Sequence, residues 1–351
     1  MASAATQRVV VRALLSLPTP VLRLMAGGGV VYQGGRTLDP RLQFLASQGR
    51  NATPMTRLSP REARRASAAA LEALAGDLEP GVRISPLTIP GPGPGGAIPA
   101  RLYRPDTQNP DAPVMVFAHM GGGVIGDLET SHVFCAILAR TARAPVISID
   151  YRLAPEHRFP AGLDDTLAAF RYARDHANDF GAPRGRAAIG GDSIGGNFAA
   201  VVCQELKRLG EPQPALQLLV YPCVDVACER ASMTTYADAF PLNRATMDWF
   251  MGHYLGPGDS PADPRLSPLR APDLTGLAPA VVVTAGFDPL LDQGEAYARR
   301  LKAAGVATVY RCYDGLAHAF ASFTGAVPAA DVAVREIAGL VGDSFEGHIV
   351  G

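Results

Sequence analysis

Six short apolar runs recur between residues 113 and 315: "PVMVFAHM", "APVISIDY", "RAAIGGDS", "ALQLLVYP", "PAVVVTAGFD" and "VATVYRCYDG". Their hydrophobicity is mostly unbroken, the pattern of a strand covered on both faces in a parallel sheet. Helical stretches separate them. "PAGLDDTLAAFRYARDHANDFG" opens on proline and ends on glycine, and "IGGNFAAVVCQELKRLG" sets Ala199, Val202, Cys203, Leu206 and Leu209 on one side before a Lys-Arg-Leu-Gly ending. Strands alternating with helices predict an α/β fold, a mostly parallel central sheet flanked by helices. Ahead of it, "VRISPLTIPGPGPGGAIPARLYRP" reads as two strands around a Gly/Pro turn. No helix follows "GPGPGG" and no Lys-Ser/Thr closes it, so it is not a phosphate loop.

Two segments break the alternation. Residues 1–80 are mainly helical and arginine-rich; in "SPREARRASAAALEALAG", Ser59 and Pro60 fit an N-cap and a first-turn proline. Residues 226–272 carry aromatics and methionines at helical spacing. The expected organisation is an N-terminal helical part (1–80), an α/β domain in two parts (81–225 and 273–351), and a helical insertion (226–272). A length of 351 residues suits one large domain with such elaborations.

Composition excludes several functions. Thirty-two basic and 33 acidic residues leave a formal charge of −1 with no long like-charge block, so nucleic acid is not an expected partner. Five cysteines, Cys135, Cys203, Cys223, Cys228 and Cys312, are odd in number and lack CxxC spacing, which argues against a disulfide framework and a zinc site. The N-terminal "QRVVVRALLSLPTPVLRLMAGG" is apolar, but Pro18, Pro20 and Arg23 interrupt it well short of the ~20 residues a span requires. No small-residue cleavage site follows it. A helix that packs on the protein or touches a membrane surface is expected there, with no integral membrane segment and a cytoplasmic location.

The chemistry centres on "GDSIG", residues 191–195, which satisfies GxSxG between an expected strand and helix. A tight strand-to-helix turn strains the serine backbone and leaves no room for side chains two residues either side. A serine hydroxyl then needs a base, and the base an orienting acid. In a doubly wound sheet these partners belong at the carboxyl ends of later strands. Asp288 ends one such strand and His318 follows the last. Asp292, one helical turn on, and Asp314, before Gly315, are rival acids, and Asp288 also fits a helix N-cap ahead of "PLLDQG". His132, His157, His176, His253 and His348 fall on helices, turns or the tail and read as structural. "FAHMGGGVIGD", residues 117–127, puts three glycines directly after a strand, where bare N–H groups can approach an oxyanion.

These blocks resemble the bacterial hormone-sensitive-lipase-like esterases (family IV carboxylesterases) of the α/β-hydrolase superfamily. The resemblance runs from about residue 100 to 320 and rests on "HMGGGVIGD", "YRLAPEHRFPA", "GDSIGGN", "DPLLDQGEAYARRLKAAG" and "YDGLAHAF". It implies Ser193 as nucleophile, His318 as base and acid, Asp288 as its partner, and Gly121, Gly122 and Ile194 as oxyanion donors. It also implies that 1–80 and 226–272 form a two-part cap over the site, with Tyr236, Phe240, Trp249 and Phe250 mostly in its core. Three residues depart from the family pattern: Met120 for the first glycine, Gly123 for the following aromatic, and Ile194 for the elbow alanine. Met120 and Ile194 are expected to add bulk to the acyl pocket and Gly123 to remove a wall from it.

The resulting expectation is a serine carboxylesterase acting on short to medium acyl esters, with a small-molecule ester as its partner and no metal or organic cofactor. Amidase, lactonase or formamidase activity on the same triad stays open, as does a non-catalytic small-molecule receptor; the plant gibberellin receptors of this fold lack the histidine that His318 supplies here. The last strand and the C-terminal "AADVAVREIAGLVGDSF" are candidates for a homodimer edge.

Overall fold

The computed structural model describes residues 4–93 and 96–348. Its centre is an eight-stranded sheet: β1 (Val82–Pro90), β2 (Ala97–Pro105), β3 (Val114–Ala118), β4 (Val146–Ile149), β5 (Ala187–Asp192), β6 (Gln217–Val220), β7 (Ala280–Phe287) and β8 (Thr308–Ala317). The spatial order is β8-β7-β6-β5-β3-β4-β2-β1. Only β2 runs against its neighbours, pairing antiparallel with β1 and β4. The β1–β2 hairpin forms as its sequence predicts, although positions 94–95 of the "GPGPGG" turn lie outside the described residues.

Alternate residues of the central strands point into two separate cores. Val114, Val116 and Ala118 of β3 join one, with α6 (Ala161–Asp175), α7 (Ile194–Leu209) and most of α10 (Leu291–Ala303). Met115 and Phe117 join the other, with α5 (His132–Ala142) and α11 (Pro328–Phe345). Both faces are thus covered, which is why the runs show no regular apolar–polar alternation, the few polar residues in them, such as Ser148, Gln217 and Thr284, being buried. The last run departs from that expectation. β8 is an edge strand whose outer half is only partly buried, and Arg311 is exposed there; an edge strand can tolerate polar side chains because one of its sides is open to water.

The remaining helices come from the two segments that broke the alternation. Residues 4–74 form α1 (Ala4–Leu15), α2 (Thr19–Met25), α3 (Pro40–Gly49) and α4 (Pro60–Leu74). Ser59 starts α4 with a full capping box, its hydroxyl receiving the Glu62 N–H while Glu62 receives the Ser59 N–H. The N-terminal run folds onto the protein, with Leu15 and Leu22 buried and Arg8 and Arg12 gripping Asp77 and the carbonyls of Gly76 and Ala75. Residues 231–254 form α8 (Ala231–Thr235) and α9 (Arg244–Tyr254). Among the described residues, no helix is long and apolar enough to cross a membrane.

Gly339, inside α11, has open space where a Cβ would stand and an ordinary backbone conformation. Gly339→Ala should therefore stabilise the protein by roughly 0.5–1 kcal/mol through helix propensity and reduced unfolded-chain entropy. Thermal or urea unfolding checks this; a lowered midpoint would contradict the packing described for α11.

Candidate active site

Ser193 sits between β5 and α7 with φ +56° and ψ −115°, a region a non-glycine residue rarely adopts. The turn is too tight for neighbouring side chains. A Cβ on Gly195 would lie 1.9 Å from the Ala118 carbonyl oxygen, and one on Gly191 would lie 2.3 Å from the Gly195 carbonyl carbon. The Ser193 N–H donates to the Val220 carbonyl, and its own carbonyl accepts from Cys223 and Asn197. The junction is therefore tied to the end of β6.

The last two sheet strands supply the partners. His318, just beyond β8, places Nε2 3.0 Å from Ser193 Oγ. Its Nδ1 lies 2.7 Å from Asp288 Oδ2. With the proton on Nδ1 donated to the carboxylate, Nε2 is free to accept the serine hydroxyl. The other Asp288 oxygen accepts the Leu290 N–H at 2.8 Å, so one carboxylate serves both the local turn and the histidine. The rival acids are committed elsewhere. Asp292 accepts the Ser232 N–H, and Asp314 pairs with Arg36 at the surface.

The glycine loop after β3 runs alongside the serine. Gly121, Gly122 and Gly123 have φ of +128°, +60° and +71°. The N–H groups of Gly121, Gly122 and Ile194 have no acceptor among the described residues. His119, fully buried behind the loop, bonds the Met120 carbonyl through Nδ1 at 2.7 Å and stacks on Tyr151; burial pushes its pKa down to about 4, which keeps the ring neutral.

Ser193, His318, Gly121 and Gly122 open onto a cavity of about 710 Å³, a size that suits a small organic ligand. Its far walls come from α3, α4, α9 and the loops beside them, including Gly49, Leu71, Phe240 and Met247. Cys223 and Cys228 also reach the wall; burial pushes the Cys223 thiol up to about 12, so it stays protonated.

The alpha/beta hydrolase fold family matches residues 115–322. LipN of Mycobacterium tuberculosis, a carboxylic ester hydrolase, is 45% identical over 320 residues, covering 88% of this chain and 84% of LipN. The chain belongs to the hormone-sensitive-lipase-like esterases of the α/β-hydrolase superfamily. An ethyl acetate hydrolase of Pseudomonas putida is 36% identical over 293 residues, covering 82% of this chain and 92% of its own length. Among solved structures, a mutant of LAE6, an α/β-hydrolase enzyme from the Lake Arreo metagenome, superposes with a TM-score of 0.84 at 41% identity, covering 88% of this chain and 99% of that one.

Against this esterase family's pattern, Met120 and Ile194 line the cavity as the sequence predicts. Gly123 does not. A Cβ there would lie 2.6 Å from the Tyr254 ring, so α9 fills the space that the missing aromatic leaves, and no wall is lost. Phe250 packs in the same way over Gly122, with 2.3 Å to a notional Cβ. Of the four aromatics expected mostly in the cap core, Phe240 and Phe250 line the cavity, while Tyr236 packs on Phe287 and Trp249 on Phe250 and His253.

Sequence reasoning missed three residues that hold this arrangement. Asn197 donates to the carbonyls of Cys223 and Leu266, at 2.6 and 2.8 Å, tying α7 to the chain beyond β6. Tyr221, at φ +35°, lays its ring 4.9 Å from that of His318 and donates its hydroxyl to Asp192. Asp192 also accepts from Ser131. The "DS…N" letters of "GDSIGGN" were the available signal for two of them, but letters alone do not say which carbonyl or hydroxyl they meet.

Burial pushes the Asp192 carboxyl up to about 6, opposed by the Tyr221 hydrogen bond. An unfolded aspartate titrates near pH ~4. The folded value is the higher one, so this group adds stability below the unfolded pKa that is lost as pH rises through about 6. Asp192→Asn should remove that decline, a relative change on the order of 3 kcal/mol between acidic and neutral pH. Chemical denaturation of both proteins across that range tests it, and parallel pH profiles would refute the assigned burial effect.

Proposed function

We propose that the protein is a serine carboxylesterase cleaving short to medium acyl esters through an acyl-enzyme, and that the helices of residues 4–74 and 231–254 act as a two-part cap over its site. The observation carrying this reading is the relay Asp288–His318–Ser193, at 2.7 and 3.0 Å, beside three unpaired N–H groups on the cavity wall. As Ser193 Oγ attacks the ester carbonyl, His318 Nε2 takes its proton. Asp288 holds the imidazole in the required tautomer and stabilises its charge. The negative charge on the carbonyl oxygen falls to the N–H groups of Gly121, Gly122 and Ile194. The imidazolium returns the proton to the departing alcohol, and water, activated by the same nitrogen, releases the acid.

The small-ester substrate fits relatives that are carboxylic ester and ethyl acetate hydrolases. Near the serine, Ile194, Met120 and the Phe250 ring limit the space for an acyl chain. The reading extends to a cytoplasmic enzyme and to pairing of two copies through β8, which bonds to a strand on one side only.

Hydrolysis of nitrophenyl esters is the direct test. Native protein should release an initial burst of nitrophenol, Ser193→Ala should lose it with a rate drop of roughly 10⁴-fold or more, and Asp288→Asn should fall by about 10⁴. A Ser193→Ala variant matching the native rate would end the reading. Ile194→Ala should raise the preference for longer over shorter acyl chains by about 10-fold per methylene accommodated, whereas Gly123→Trp, facing Tyr254, should lower the unfolding midpoint. An unchanged acyl profile for Ile194→Ala would place that side chain away from the acyl group.

A further inference from the structure

The N-terminal helices carry a feature that ester hydrolysis does not use. Of the eleven large hydrophobic side chains exposed among the described residues, seven lie between Val9 and Tyr32: Val9, Val10, Val21, Leu24, Met25, Val30 and Tyr32. The other four, Leu78, Ile84, Leu209 and Val332, are scattered in sequence. On α2, Val21, Leu24 and Met25 face outward at helical spacing while Leu22 and Ala26 are buried beneath them. Leu24 is 76% exposed, so the crest of this face stands clear of the protein. A soluble surface rarely collects apolar side chains in this way without an occupant.

The charge around them identifies one. Residues 4–38 contain Arg8, Arg12, Arg23 and Arg36 and no aspartate or glutamate, within a chain of net charge −1. Asp77 is shared by Arg8 and Arg12, and Asp314 takes Arg36, so the patch remains basic. We propose that α1, α2 and the loop to Tyr32 form a docking surface for an anionic lipid bilayer, lying in its interface without crossing it. Short helices with an apolar side and flanking arginines bind there by burying the apolar side chains and neutralising headgroup charge. A second copy of the chain is the poorer occupant, since a two-fold contact would set this basic patch against itself. The surface is one helix layer from the cavity. α1 packs on α4 and α2 on α3, and α3 and α4 form part of the cavity wall.

Flotation of the full chain with vesicles tests this. Native protein should bind phosphatidylcholine vesicles containing roughly one-third phosphatidylglycerol, at least tenfold more weakly without the anionic lipid, and less as salt is raised. The Val9→Asp/Leu24→Asp double variant should lose at least tenfold in binding while keeping the native thermal midpoint, because both side chains stand largely clear of the protein, at 68% and 76% exposure. Failure of the native protein to bind anionic vesicles, or equal binding by the double variant, overturns the proposal. So does a native dimer that the double variant converts to monomer without any vesicle binding, which would assign the face to a second copy.

Discussion

The approach of α7 to the end of β3 is the contact on which the site depends. Gly195 meets the Ala118 carbonyl where no Cβ fits, and Gly191 closes the turn from the other side. This approach holds Ser193 in its left-handed backbone, which costs on the order of 1–3 kcal/mol and persists only where the surroundings over-determine it. The same contact sets the serine beside the residues that follow Ala118. The glycine loop begins at that point, so hydroxyl and free N–H groups become neighbours through one packing event. The GxSxG spacing is thus a statement about backbone distance as much as about serine.

A second layer of polar contacts keeps the junction in place. Asn197 spans two carbonyls, Tyr221 joins the His318 ring to Asp192, and His119 supports the glycine loop through the Met120 carbonyl. All lie in low-dielectric surroundings, where a paired polar group is firmly held and an unpaired one is costly. The N–H groups of Gly121, Gly122 and Ile194 stand out against that background. Among the described residues they are donors without acceptors, set at the cavity wall.

Much of this was legible in the chain. The unbroken apolar runs gave away the doubly covered sheet because residues on both faces of a central strand must be apolar. Ser193, Asp288 and His318 could be found because each sits at the end of a recognisable strand, where side chains are presented beyond the sheet edge. Residue pattern left Asp292 and Asp314 as rivals, and the family resemblance favoured Asp288. All three are plausible near a helix start or a turn, and only the fold shows that one faces His318 while the others face Ser232 and Arg36.

The sequence by itself determined which backbone positions had to be strained, bare or apolar, because those demands act locally on residue type and spacing: the alternation of strands and helices, the elbow glycines, the serine between them. Tertiary structure alone decided what fills the space around them. Gly123 looked like a missing wall until α9, about 130 residues later in the chain, laid Tyr254 against it, and Phe250 and Phe240 became cavity wall by the same long-range packing. A shape shared by segments distant in sequence leaves no periodic trace in either one, since each side chain answers to a neighbour that only folding brings near.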